Sequence, residues 1–266
     1  MNFYPFPVVQ GLETELTLAN FSPVGRIKHQ TKKMHVFIAR ANNNLWEVYR
    51  HTTIDCGQTC AVKSVDLPFQ CASGEPTPLL FMYPELLPNH LTELPSGSFQ
   101  DTSPAWRSNI KLRSATTATS YQGEYPCPML DLKRGTLVSI YPTLRQGPGI
   151  QTKIIAMNFM RSPVFEQKTV HLASIQSKQT IQTAKIYTNS CSVIDVQESS
   201  LQGDCYFYCR ESVAIPVYLS HTANFSHLAM EHSHPPVEML VFGNRNRTAA
   251  DMKRFWIEPE GKLNAQ

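Results

Sequence analysis

The sequence predicts an all-β protein of antiparallel strands, built as a β-sandwich, either one large or two small. Three features carry this. Charged residues make up 17% of the chain, against about 25% in an ordinary globular domain, and Ser, Thr, Gln and Asn fill their places. Such a surface suits sheets better than helices, whose exposed faces favour Glu, Lys, Arg and Ala. The 19 prolines and 12 glycines are spread over the whole length as turn signals. Between them lie about a dozen short apolar or alternating segments, the pattern of strands joined by short connections.

In chain order, Leu12–Asn20 alternates as a first strand, and Phe21-Ser22-Pro23-Val24-Gly25 closes it. Met34–Arg40 and Leu45–Arg50 flank Asn42-Asn43-Asn44, a hairpin signal because asparagine tolerates the left-handed backbone such turns need. Thr52–Cys56 and Ala61–Leu67 predict a second hairpin around Gly57. From Pro68 to Pro104 prolines recur, and only Glu85–Leu94 suits a short helix. Connections of that length are usually functional or mark a division. In Trp106–Arg113, Trp106, Ser108, Ile110 and Leu112 face one way and Arg107, Asn109, Lys111 and Arg113 the other, a half-buried strand with a basic outer face. Met129–Leu132 and Thr136–Tyr141 flank Lys133-Arg134-Gly135 as another hairpin. Strands follow at Thr152–Phe159, Thr169–Ile175, Thr180–Thr188, Ser192–Val196 and Cys205–Arg210. Val213–Gly243 reads as two strands and a turn. A short C-terminal helix is expected after Thr248, with Met252, Phe255 and Trp256 on one face and Pro259 as its stop. No repeat of fixed period is visible. The expected organisation is N-terminal hairpins over 1–75, a proline-rich connection over 76–104 and a main β domain over 105–266, with one domain over 1–266 as the alternative.

A net charge of +3 is too mild to imply a nucleic-acid or membrane partner. The basic strand lacks the interleaved exposed aromatics of a single-strand platform; its cations read as guards against edge pairing. The N-terminal residues show no basic region followed by an apolar run, and the longest apolar runs, such as Leu79–Tyr83, fall far short of a membrane span. The expected address is cytoplasmic. Seven cysteines without a leader argue for free, mostly buried thiols. Cys56-x3-Cys60 and Cys205-x3-Cys209 are spaced more loosely than the usual zinc pairs.

The densest set of potential ligands is Glu231, His232, His234 and Glu238. On a strand, residues two apart share a face, so His232 and His234 present two imidazoles together, with Glu231 turned away. Pro235 and Pro236 then turn the chain so that Glu238 can come back beside them. The spacing His232-x-His234-x3-Glu238 is similar to the first metal motif of cupins, double-stranded β-helix proteins of antiparallel strands. The resemblance covers about a dozen residues. It lacks the glycine expected ahead of the first histidine, and Asn244–Gln266 has no histidine for a second motif. It implies a divalent ion, zinc or iron, with a third imidazole drawn from His221 or His227. Separately, Gly123-x-Tyr125-x-Cys127 resembles the tyrosine corner of immunoglobulin domains. Tyr121 stands where that family has Asp, and Pro126 would break the strand, so the family is not assigned. Glu124 and Tyr125 are the ligand-binding candidates on that turn.

There is no Gly-x-Ser-x-Gly elbow, phosphate-cradling glycine loop or dinucleotide fingerprint. The expected function is therefore non-catalytic binding or assembly, with loops used for recognition, a protein partner or self-assembly, and no cofactor. The alternative is a cupin-like metal-dependent β-barrel protein holding its ion at His232, His234 and Glu238.

Overall fold

The structure, a computed structural model, describes residues 1–20, 33–72, 74–97, 108–131, 135–139, 147–174, 176–197 and 205–232. It is all-β, with antiparallel sheets throughout. Two compact units emerge: Met1–Asp131 with Phe159–Glu166 and Tyr187–Cys191, and Leu132–Asn158 with Gln167–Ile186 and Ser192–Gln266. The expected C-terminal helix lies outside the described residues.

In the first unit the strands are β1 (Asn2–Pro5), β2 (Glu13–Asn20), β3 (Lys33–Asn42), β4 (Leu45–Asp55), β5 (Gln58–Lys63), β6 (Leu79–Tyr83), β7 (His90–Leu91), β8 (Ser108–Arg113), β9 (Ala118–Gly123) and β10 (Tyr125–Pro126). They form a six-stranded sheet, β10-β1-β6-β3-β4-β7, and a four-stranded sheet, β5-β2-β8-β9. The second sheet follows the expected alternation: Leu16, Leu18, Val62, Ile110 and Leu112 are fully buried on one face. The six-stranded sheet is buried on both faces at its centre, where Phe37 stacks on Phe81 at 5.4 Å and Phe3 tilts against the same ring. Burying each such ring contributes about 2 kcal/mol. The β3–β4 turn carries Asn43 and Asn44 at φ 48° and 64°, the left-handed pair that a tight hairpin demands.

Three local expectations are corrected. Thr52–Cys56 and Ala61–Leu67 are not a hairpin: past Cys56-Gly57 the chain crosses sheets, and β5 pairs with β2 rather than β4. Glu85–Leu94 is not helical; Pro88 removes an amide the helix would need, and Leu91 instead pairs with Trp46 as part of β7. Met129–Leu132 is not a strand, since Cys127–Asp131 forms a 3-10 helix.

The second unit contains β11 (Thr136–Ser139), β12 (Ile150–Asn158), β13 (Gln167–Ser174), β14 (Thr180–Tyr187), β15 (Ser190–Asp195), β16 (Cys205–Cys209), β17 (Ile215–Thr222) and β18 (Leu228–His232), except that the β14–β15 turn with its flanking residues, Tyr187–Cys191, belongs to the first unit. Their sheets are β11-β16-β13-β14 and β15-β12-β17-β18. β16 is buried on both faces, and Cys205 and Cys209 pack there as small apolar groups. All seven cysteines are free thiols, four of them buried.

These two pairs of sheets repeat one arrangement. β1-β6-β3-β4 matches β11-β16-β13-β14, and β5-β2-β8-β9 matches β15-β12-β17-β18, strand for strand along the chain. Registers agree as well. With Asn20 laid on Asn158, Glu15, paired with Lys63, falls on Lys153, paired with Asp195: one cross-strand ion pair recurs with its signs exchanged. The β4–β5 and β14–β15 connections are both two residues long and end in a left-handed residue, Gly57 (φ 88°) and Asn189 (φ 54°). The sequence keeps traces of this: Asn20-Phe21-Ser22-Pro23-Val24 against Asn158-Phe159 and Ser162-Pro163-Val164, and Pro7 with Gln10-Gly11 against Pro142 with Gln146-Gly147. No fixed period survives, because the long stretch from Tyr83 to Ser108 is replaced in the second copy by the short link after Cys209.

Candidate functional site

His232 ends β18, exposed, opposite Val217, while Glu231 points to the other face opposite Tyr218. His234 and Glu238 lie outside the described residues. His221 pairs with Leu228, four register steps from the Val217–His232 pair, roughly 13 Å along the strands. It is buried, donates from Nδ1 to the Thr222 carbonyl at 2.9 Å, and lies against Phe225. His227 is exposed beyond it. His221 and His232 are therefore not brought together. Among the described residues no three His, Cys, Asp or Glu side chains are grouped to hold a metal ion.

Glu124 and Tyr125 are both enclosed in the first unit. The Tyr125 hydroxyl donates to the Phe159 carbonyl at 3.0 Å and accepts from the Phe159 amide at 3.3 Å. Burial pushes this phenol well above its ordinary range. Glu124 accepts from the Asn2 amide at 3.1 Å. Burial, then the nearby Glu124 charge, drives the Tyr4 hydroxyl up in the same way. These side chains tie β1 and β10 into the core.

The outer face of β8 is less cationic than it reads. Arg113 pairs with Glu13 at 2.5 Å, Lys63 lies 3.9 Å from Glu15, and Lys111 sits opposite Glu15 in the register. Arg107 lies outside the described residues. Two acids on β2 thus interleave the cations of the neighbouring strands.

An open groove of about 660 Å³ lies in the first unit, lined by Val8, Ser64, Val65, Leu67, Pro68, Phe69, Gln70 and Cys71. Val65 stands 84% exposed on it, unusual for a β-branched apolar side chain with no partner to cover it. The far wall is braced. The Arg40 guanidinium lies 4.2 Å over the Phe69 ring, donates to the Gln70 carbonyl at 3.1 Å, and pairs with Glu47 at 3.3 Å. Glu47 also accepts from Asn42 at 2.7 Å. That hydrogen bond, and then Arg40, hold its carboxyl below the usual carboxylate range. Tyr49 tilts against Phe69 at 5.7 Å. Burial pushes the Cys71 thiol up to about 11, so it stays protonated at neutral pH. The groove can hold apolar groups and offers no acid–base pair. Sequence reasoning missed it; the only signal was the irregular, proline-punctuated texture that begins at Pro68.

Compared with protein-family models, with curated proteins and with solved structures, the chain shows no match.

Proposed function

We propose that this is a non-catalytic binding or assembly protein, each unit a small antiparallel β-sandwich made from its two sheets. The observation that carries the reading is the open groove along Ser64–Cys71, where Val65, Leu67, Pro68 and Phe69 stand among polar groups and Arg40 lies over the Phe69 ring. Its chemistry fits an extended peptide with apolar side chains from a protein partner. The Glu13 and Glu15 pairings support a partner other than nucleic acid. No helix among the described residues is long and apolar enough to cross a membrane. The test is a peptide array probed with labelled protein. Apolar extended peptides are expected to bind, and Val65→Asp to weaken them about tenfold or more, since burying a valine side chain contributes roughly 1.5 kcal/mol. No bound peptide, or binding indifferent to Val65→Asp, overturns the role of the groove.

The exposed imidazole of His232 at the end of β18, two residues before His234, favours one second reading. Here a divalent ion, zinc or iron, is held by His232, His234 and Glu238. An ion bound only to the native state adds stability by mass action. A chelator is then expected to lower the melting temperature of the wild type and to leave His234→Ala unmoved. Equal melting with and without chelator retires the metal.

A further inference from the structure

Both units share one eight-strand arrangement, yet among the described residues only the first adds strands outside it. There β7 runs antiparallel along β4, pairing Leu91 with Trp46, and Val48 donates to the Asn89 carbonyl at 2.8 Å. On the opposite edge β10 covers β1. In the second unit the counterpart of β4 is β14, and among the described residues it is the outermost strand of its sheet. It is eight residues long, without proline or glycine, and Lys185 is its single charge. Within the described residues the other outermost strands span six residues or fewer. Two of its outer-face side chains reach back to β13: Lys185 donates to Thr169 at 2.9 Å, and Thr183 bonds His171 at 3.2 Å. A long edge with so little charge is a template for another strand.

We propose that β14 pairs with β14 of a second copy of this chain, antiparallel across a two-fold axis at Ala184. The proposal rests on the assembly half of the reading above and names its partner. A second copy fits because a two-fold axis perpendicular to the sheet makes the pairing antiparallel, as β7 is to β4. The pleat requires the axis to pass at a residue rather than between residues. Of the two central positions, Ala184 sets Lys185 opposite the polar Thr183, whereas Thr183 would set it opposite Ile181. Gln182 and Ile186 are buried on one face, and Thr183 and Lys185 are exposed on the other. Centring on Ala184 sets Gln182 against Ile186 and Thr183 against Lys185, keeping each face whole. No like charges meet.

Sedimentation of the full chain across a micromolar concentration range is the test. The wild type is expected to double its mass with concentration. Thr183→Lys sets a second ammonium group against Lys185 of the other copy on both sides of the axis. Like charges directly opposite repel, so this variant is expected to stay monomeric. Adding Lys185→Glu turns that contact attractive and is expected to restore the dimer. Hydrogen exchange on the wild type needs no variant: protection of amides within β14 should rise with concentration. A wild type that stays monomeric, a dimer indifferent to Thr183→Lys, failed rescue, or unchanged exchange in β14 each overturns the proposal. None of these outcomes touches the peptide groove, whose own test is Val65→Asp.

Discussion

Asn189→Ala is expected to destabilise the first unit by about 3–5 kcal/mol, through several buried groups left without partners at once. The side chain is wholly buried. Its amide donates to the carbonyls of Ser162 at 2.8 Å and Val164 at 2.9 Å, and its oxygen accepts from the Met160 amide at 2.9 Å. Its own carbonyl accepts from the Thr77 amide at 3.2 Å. The backbone stands at φ 54°, which asparagine tolerates and alanine resists by roughly 1 kcal/mol. Asn189→Gly separates the two causes: it relieves the backbone and still loses the three side-chain bonds, so it should fall between wild type and alanine. Urea unfolding measures both. A loss under about 1 kcal/mol for alanine would show that water replaces these bonds.

Gly135→Ala is expected to cost the second unit about 3 kcal/mol or more, at the upper end of overpacking penalties because backbone rather than a side chain is struck. A methyl group at Gly135 would meet the Cys209 carbonyl oxygen, with the Arg210 carbonyl oxygen at 2.7 Å and the Arg210 Cα at 2.8 Å. The next residue, Thr136, pairs with Cys209 in the β11–β16 ladder, and its hydroxyl accepts from the Ala214 amide at 2.9 Å. Making room for the methyl means opening that ladder. Gly147→Ala is the control. Among the described residues its added methyl meets only the Ile150 side chain, at 3.6 Å, and stability should move within about 0.5 kcal/mol. Equal unfolding midpoints for the two variants would refute the close approach at Gly135.

The first unit also shows what sequence reading cannot reach. The Arg161 guanidinium grips Asp131 with two bonds, at 2.6 Å and 2.5 Å, and donates to the carbonyls of Leu94 and Pro95. The Arg161 carbonyl accepts from the Trp46 indole at 2.8 Å. Nothing in Met160-Arg161-Ser162 announces this, because every partner is at least thirty residues away. The candidate groove was hidden for the same reason. Val8, Ser64–Cys71 and the bracing Arg40 come from three separate stretches. The metal candidate was legible by spacing alone, and only His232 of its three residues is described.

The sequence by itself determined the all-β class and the local chemistry of its strands. Alternation in Ser108–Arg113 placed Ser108, Ile110 and Leu112 inward, and Asn43-Asn44 specified a left-handed turn, because both signals act between residues close in the chain. Tertiary structure alone decided which strands pair. It sent β5 to β2 across the Gly57 turn and set Glu15 opposite Lys111. It also buried both faces of β6 and β16, and laid one eight-strand arrangement down twice. Alternation reports only whether one face meets solvent, and strand partners depend on contacts between residues far apart in the chain, which no local pattern records.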